Sequence, residues 1–248
     1  MQSVTSPAIA RRPRAFVRVS GPDAADYLQR MVSNDVEALA PGESCEALLL
    51  TAKARVIAPL RILRRVDDDF LVFTEPELGD TVRDELLRMR FAARAEVEPE
   101  THESWIVLGD GGEFVDERPA GVEVDEDEYE RWRIDAGIPR WGREIDERVL
   151  PAEAGLDETH ISFSKGCYPG QEPIARQRYR GKVNRRLRVL ELEGGGVPER
   201  DAEIAYDSKV VGRVTSAVPG VALAYLRVEV PDDAELRIGS QHAKVRPA

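Results

Sequence analysis

The sequence predicts an α+β protein with antiparallel sheets that ends in a small all-β domain. Up to about Arg185, short β-branched segments mix hairpins with single helical periodicities, an order that argues against a doubly wound parallel sheet. After Arg185, short strands follow closely on one another, parted by glycine, proline and aspartate turns. Over 248 residues, 42% apolar and 33% charged, no apolar run approaches the roughly 18 residues of a membrane-spanning helix. The expected division is residues 1–185 and residues 186–248, the second a small barrel or sandwich.

Residues 1–14 hold two prolines and Arg11, Arg12 and Arg14 but lack the apolar core of a secretory signal, so a cytoplasmic protein is expected, without membrane contact. Ala15 to Val19 alternates as a strand. Gly21-Pro22-Asp23 then opens a helix with Ala25, Leu28, Met31 and Val32 on one stripe. A turn at Pro41-Gly42 precedes a strand over Glu46 to Leu50. Arg55 to Leu63 and Phe70 to Thr74 read as a hairpin across Asp67-Asp68-Asp69. Glu77 to Phe91 is helical by the spacing of Leu78, Val82, Leu86 and Met89, and strands follow at Arg94 to Val97 and Ser104 to Leu108. Gly109 to Gly112 is a turn and not a phosphate loop, since no lysine accompanies it. The acidic run Glu123 to Glu130 leads into a helix through Trp132 and Ile134, where negative charge suits the N-terminus. Beyond Arg185 the strands are Leu187 to Leu192, Glu203 to Tyr206, Val210 to Val214, Val221 to Arg227 and Ala234 to Ile238.

A net charge of -11 opposes broad affinity for nucleic acid or anionic lipid. Locally the sign reverses: Arg176, Arg178, Arg180, Lys182, Arg185, Arg186 and Arg188 follow one another without an acidic residue, a stretch that would draw an anionic ligand. The two cysteines, Cys45 and Cys167, are too few for a disulfide scaffold and lack the neighbours of a metal site. Cys45 lies in a strand and reads as a small packed side chain.

Chemistry concentrates in Lys165-Gly166-Cys167-Tyr168-Pro169-Gly170-Gln171-Glu172. Two glycines free the backbone, and a helix begins near Gly170 to Pro173. The helix start and Lys165 would both favour the thiolate of Cys167. A Cys-His catalytic site has His102, His160 and His242 as its only bases, and His160 reads more readily as a polar residue at a strand start. A second cluster runs from Arg133 to Gly142, in which Arg133 and Asp135 read as charged positions at a helix end and Trp141 as a core residue or a ring that stacks on an aromatic ligand.

The motif from Lys165 to Glu172, together with Met31-Val32-Ser33-Asn34-Asp35, Arg133 to Pro139 and Tyr179 to Arg185, resembles the YgfZ proteins, folate-binding relatives of the glycine-cleavage T-protein (aminomethyltransferase) implicated in iron-sulfur enzyme maintenance. That resemblance implies ferredoxin-like folate-binding subdomains followed by a C-terminal barrel. It implies tetrahydrofolate or a derivative as cofactor, with Asp135 at the position of the glutamate that binds the pterin. Around the folate it sets Trp141, Gly166, Tyr168, Gln171, Glu172, Arg176, Arg178 and Arg180, and it makes Cys167 and Lys165 the reactive pair. Iron-sulfur assembly factors or client enzymes are the implied partners, with transfer RNA a further candidate, and a monomer is expected. The stretch Lys53 to Leu60 departs from the transferase: Ala58 and Pro59 stand where an acidic residue assists aminomethyl transfer. Loss of such a group typically costs about a hundred-fold or more, which favours binding without the parent reaction. A folate-dependent one-carbon transferase and an RNA-binding module are the alternatives.

Overall fold

The computed structural model describes residues 6–109, 111–181 and 183–247. Met1 to Thr5, Asp110, Lys182 and the side chain of Arg180, all part of the readings above, lie outside the described residues. The chain divides into two units: one of residues up to Asp125 with Asp157–Arg176, the other of Glu126–Leu156 with Gln177–Ala248.

The first unit is built on β5 (Asp69–Thr74), whose Phe70-Leu71-Val72-Phe73 run is buried throughout, as a strand covered on both faces must be. Around it lies a five-stranded antiparallel sheet in the order β3 (Ser44–Leu50), β4 (Val56–Val66), β5, β2 (Ala15–Ser20), β6 (Glu96–Glu100). The hairpin read across Asp67 to Asp69 is the β4–β5 pair. A second sheet runs β8 (Glu113–Val115), β7 (Ser104–Val107), β1 (Ala8–Arg11), β9 (Val122–Glu123); its β1–β9 pair is parallel, an exception to the antiparallel pattern. The sequence does not announce β1, because Ile9 and Ala10 are the only buried apolar residues of that described arginine- and proline-rich segment.

Two helices complete this unit. α1 (Ala24–Met31) buries Ala24, Tyr27, Leu28 and Met31, so the stripe runs through Ala24 rather than Ala25. α2 (Gly79–Met89), led in by a 3-10 turn at Pro76–Leu78, buries Val82 and Leu86 as its spacing required.

The second unit is a closed six-stranded barrel in the order β10 (Arg185–Leu192), β13 (Val221–Arg227), β12 (Lys209–Val218), β11 (Glu203–Tyr206), β14 (Glu235–Ile238), β15 (Gln241–Val245). β15 was missed in the sequence because it is a short strand separated from β14 only by Gly239-Ser240, yet it supplies the pairing with β10 that closes the barrel. Leu190, Ile204, Val214, Ala224, Leu226 and Leu236 fill its interior.

α3 (Glu126–Asp135) packs on the barrel through Ile134, against Val221 and Leu223. The texture of the sequence changes at Arg185, whereas packing groups residues 126–156 with the barrel. The reason is a buried polar knot. Arg133 is 1% exposed, and Glu144 is fully enclosed. Arg133 donates to Glu144 at 2.9 Å, Glu130 at 2.9 Å, Ser216 at 3.0 Å and the Ile138 carbonyl at 2.7 Å. Ser216 and Tyr225, both on the barrel, donate to the Glu144 carboxylate and carbonyl.

Candidate functional site

The motif segment is seated on the first unit by contacts the sequence does not advertise. α1 ends at Met31, leaving carbonyls without intrahelical partners. Lys165 supplies the missing donors: its buried Nζ donates to the carbonyls of Val32 at 2.7 Å and Asn34 at 2.9 Å, and to that of Gln29. A cation at a helix C-terminus also meets the favourable end of the helix dipole. Burial pulls the Lys165 ammonium down to about 8, against the charges of Asp35, Cys45 and Glu37, which raise it. The hydrogen bonds of Lys165 go to the end of α1 and the residues just after it.

The loop after α1 is tied to the motif segment a second time. Ser33 Oγ donates to the His160 carbonyl at 2.6 Å and accepts from the Leu48 amide, while Ser162 N donates to the Ser33 carbonyl at 3.0 Å. Asn34 Nδ2 donates to the carbonyls of Glu46 and Thr159. Ser33 and Asn34 are site residues that no sequence signal of their own marks; with their backbone partners, they hold the motif in place.

On the other side of the thiol, Tyr168 is buried, its ring centroid 5.3 Å from Lys165 Nζ, and burial pushes its phenol up to about 12. Gly170 is buried with φ +85, and a Cβ there would come within 2.7 Å of the Thr51 carbonyl and 3.1 Å of Ala54 Cα. Its glycine is required by both conformation and close approach. Gly166 differs: its φ is not in the left-handed region, and a Cβ would meet nothing, so the freedom expected of it is not used. Between these anchors Cys167 is exposed. α4 (Gln171–Arg180) starts beyond Tyr168-Pro169-Gly170, with Pro173 in its first turn.

The other candidates separate. Gln171 is half-buried, and Glu172 pairs with Arg176 at 2.8 Å on the exposed face of α4. Arg178 is exposed. Within the basic run, Arg185 pairs with Glu153 at 3.1 Å and Arg188 pairs with Asp232. In the second unit Asp135 closes α3, its Oδ1 3.0 Å from Arg246 Nη2, with the side chain half exposed. Trp141 is half-buried and bridges to Ile145.

His160 lies in a turn and not at a strand start. Burial, with Arg61 adding to it, brings its pKa down to about 4, and its Nδ1 lies 2.7 Å from Thr159 Oγ1. His102 is held between Glu100 and Asp116. Neither makes a hydrogen bond to Cys167 among the described residues. Among those residues no group of three or more His, Cys, Asp or Glu is arranged to hold a metal ion, and no helix is long and apolar enough to cross a membrane. Ala58 is buried within β4 and Pro59 pairs with Leu48, so no carboxylate stands at that point of the strand.

Residues 184–248, the barrel with one residue before it, match the family model of CAF17, C-terminal beta-barrel domain. The chain is 26% identical to the mouse (Mus musculus) protein named iron-sulfur cluster assembly factor IBA57, mitochondrial, over 87% of this chain and 76% of that one. It is also 26% identical to an aminomethyltransferase of Rippkaea orientalis, over 90% of this chain but only 54% of the relative, so it spans about half the length of that enzyme. The crystal structure of glycine cleavage system aminomethyltransferase T from Bartonella henselae superimposes with a TM-score of 0.83 at 16% identity, covering 98% of this chain and 86% of that one. The fold is that of the aminomethyltransferase: mixed α+β with antiparallel sheets and a closed C-terminal barrel.

Proposed function

We propose that this protein binds tetrahydrofolate or a derivative and acts as an accessory factor in iron-sulfur cluster maturation or repair, with Cys167 as its functional thiol. The observation that carries the reading is the contrast within the motif: Lys165, Tyr168 and Gly170 are buried and fixed, yet the thiol between them is exposed. A packing cysteine needs no such mounting. The likeness to an iron-sulfur cluster assembly factor over most of both chains supports the cellular role, and the aminomethyltransferase fold supports the folate. An aminomethyl-transfer reading is disfavoured by the absence of a carboxylate at Ala58 and Pro59. The RNA reading rested on a continuous basic run, which ion pairing at Arg185 and Arg188 interrupts.

Asp135 is the carboxylate for the pterin edge. Its Oδ1 is shared with Arg246, and a carboxylate accepts from more than one donor, so its acceptor capacity suits an aminopyrimidine. The arginines of α4 are the cations for the glutamate tail. Calorimetry with a stable reduced folate tests this: Asp135→Ala should weaken binding about ten-fold or more, and Asp135→Glu should preserve it. Absence of folate binding, or indifference to Asp135→Ala, removes the folate. Separately, Cys167→Ser should bind folate normally but fail to restore iron-sulfur enzyme activity in cells lacking the protein.

A further inference from the structure

A groove of about 470 Å³ opens on the first unit where α1, the turn after α2 and the motif segment meet. Its volume falls within the roughly 300–1,000 Å³ typical of ligand sites. Met31, Met89, Phe91 and Pro169 give it an apolar lining, and Asp23, Arg30 and Arg90 are its charged residues. Pro169 belongs to the motif, two residues past Cys167.

Three features mark this groove as more than a surface irregularity. Phe91 is 84% exposed, the most solvent-open of the large apolar side chains described. It also sits at φ +45, a left-handed conformation that costs an aromatic residue free energy and that asparagine or glycine would adopt more easily. The turn that displays it is pinned at both ends: Ala93 N donates to the Arg90 carbonyl at 2.9 Å, and Asp23 accepts from the backbone and guanidinium of Arg94. An aromatic residue held in a strained turn and facing water is what an interaction anchor looks like before its partner arrives.

Charge selects the occupant. Arg30 is neutralised by Asp26 and Arg94 by Asp23. Half-buried Arg90 donates to the Ala95 carbonyl at 3.1 Å, and no carboxylate pairs with it among the described residues. On a protein of net charge -11, a groove with an apolar floor and an un-neutralised arginine is complementary to an apolar side chain beside a carboxylate.

We propose that this groove is the docking surface for a segment of a partner protein carrying an apolar anchor next to an acidic residue, and that docking there presents the partner to Cys167. That the partner is an iron-sulfur protein rests on the function proposed above; the groove itself does not.

The test is selection from a random peptide display library on the full chain, followed by binding measurements with the selected peptides. The expected peptides pair an aromatic or aliphatic residue with Asp or Glu. They should bind at least ten-fold more weakly to Phe91→Asn and to Arg90→Gln, and should slow alkylation of Cys167 by iodoacetamide. Phe91→Asn should keep or raise the melting temperature, which separates loss of docking from loss of folding. A library that yields no such peptides, or peptides that bind Phe91→Asn as tightly as the parent, overturns the proposal. So does sedimentation showing a dimer that Phe91→Asn dissociates, since the groove would then serve a second copy of this chain. None of these outcomes depends on folate or on iron-sulfur chemistry, so failure here leaves the proposed function standing, and failure there leaves the groove.

Discussion

Arg133 and Lys165 are both buried cations beside segments singled out in the sequence, but Arg133 is enclosed by carboxylates and Lys165 by carbonyls. In the first case burial works against the charge, and Glu130 and Glu144 outweigh it, so the guanidinium's pKa is held above its ordinary value. In the second, burial prevails and the ammonium falls to about 8. The first arrangement is a permanent ionic knot joining α3 to the barrel. The second is a cap on α1 that fastens the thiol-bearing loop without a counter-charge. A loop fastened this way can be released without leaving an unpaired buried carboxylate, whereas the knot cannot.

The largest effect should come from the knot. Arg133→Met leaves fully enclosed Glu144 with no cation, and breaking a buried pair on one side typically costs about 3–5 kcal/mol. Urea denaturation measures it, and adding Glu144→Gln should recover part of the loss. Lys165→Met should cost less, about 2–3 kcal/mol, because three carbonyls lose donors but no buried charge is stranded. If the two variants were equally destabilised, the distinction between knot and cap would fail.

Acid sharpens the comparison, because His160 lies on the Lys165 side and no histidine belongs to the Arg133 knot. His160 has a folded pKa of about 4 against an ordinary 6.5. Between those values the unfolded chain takes a proton that the folded one refuses, so stability falls as pH drops through that window and is unaffected by His160 above it. From pH 6.5 to 5 the loss should come to about 1.5 kcal/mol, and His160→Asn should flatten it. His102 has the opposite sign. Burial lowers its pKa, but Asp116 and Glu100 outweigh this and raise it, so its contribution is complete below about 6.5 and is lost as pH rises through its folded value. His102→Asn should therefore lower stability mainly on the acid side, where His160→Asn raises it.

The fold was legible wherever pattern carries it. The β4–β5 hairpin, the α2 spacing and the alternation of the barrel strands are local signals, and the structure reproduces them. β1 was not legible, because its partners β7 and β9 lie far along the chain, and neither was β15, whose closing partner β10 is about fifty residues away. The same limit governs the site. Gly170 could be read as a required glycine, since its residue type records its conformation. Lys165 could not be read as a helix cap, since the carbonyls of Gln29, Val32 and Asn34 carry no side-chain signature. Arg133 and Asp135 looked alike as charges at a helix end; only tertiary packing buries the first and leaves the second half exposed.

The smallest effect on stability should come from Cys167→Ser, and it is the most informative for function. An exposed thiol contributes little packing, so the serine variant should lie within about 0.5 kcal/mol of the parent. Cys45 is the internal control: it is half-buried in β3, and burial with Glu46 alongside pushes its thiol up to about 12, so the attacking thiolate is scarce at neutral pH. Iodoacetamide at pH 7.5, read by mass spectrometry, should therefore modify Cys167 well before Cys45. Lys165→Met should change the Cys167 rate by loosening the loop rather than by removing a neighbouring charge, so the change should persist in high salt, where a through-space effect would be screened. Preferential modification of Cys45 would mean that the loop shields the thiol. Full restoration of iron-sulfur enzyme activity by Cys167→Ser would leave the Lys165 cap and the Gly170 contact as a device for shaping backbone, with the sulfur incidental to it.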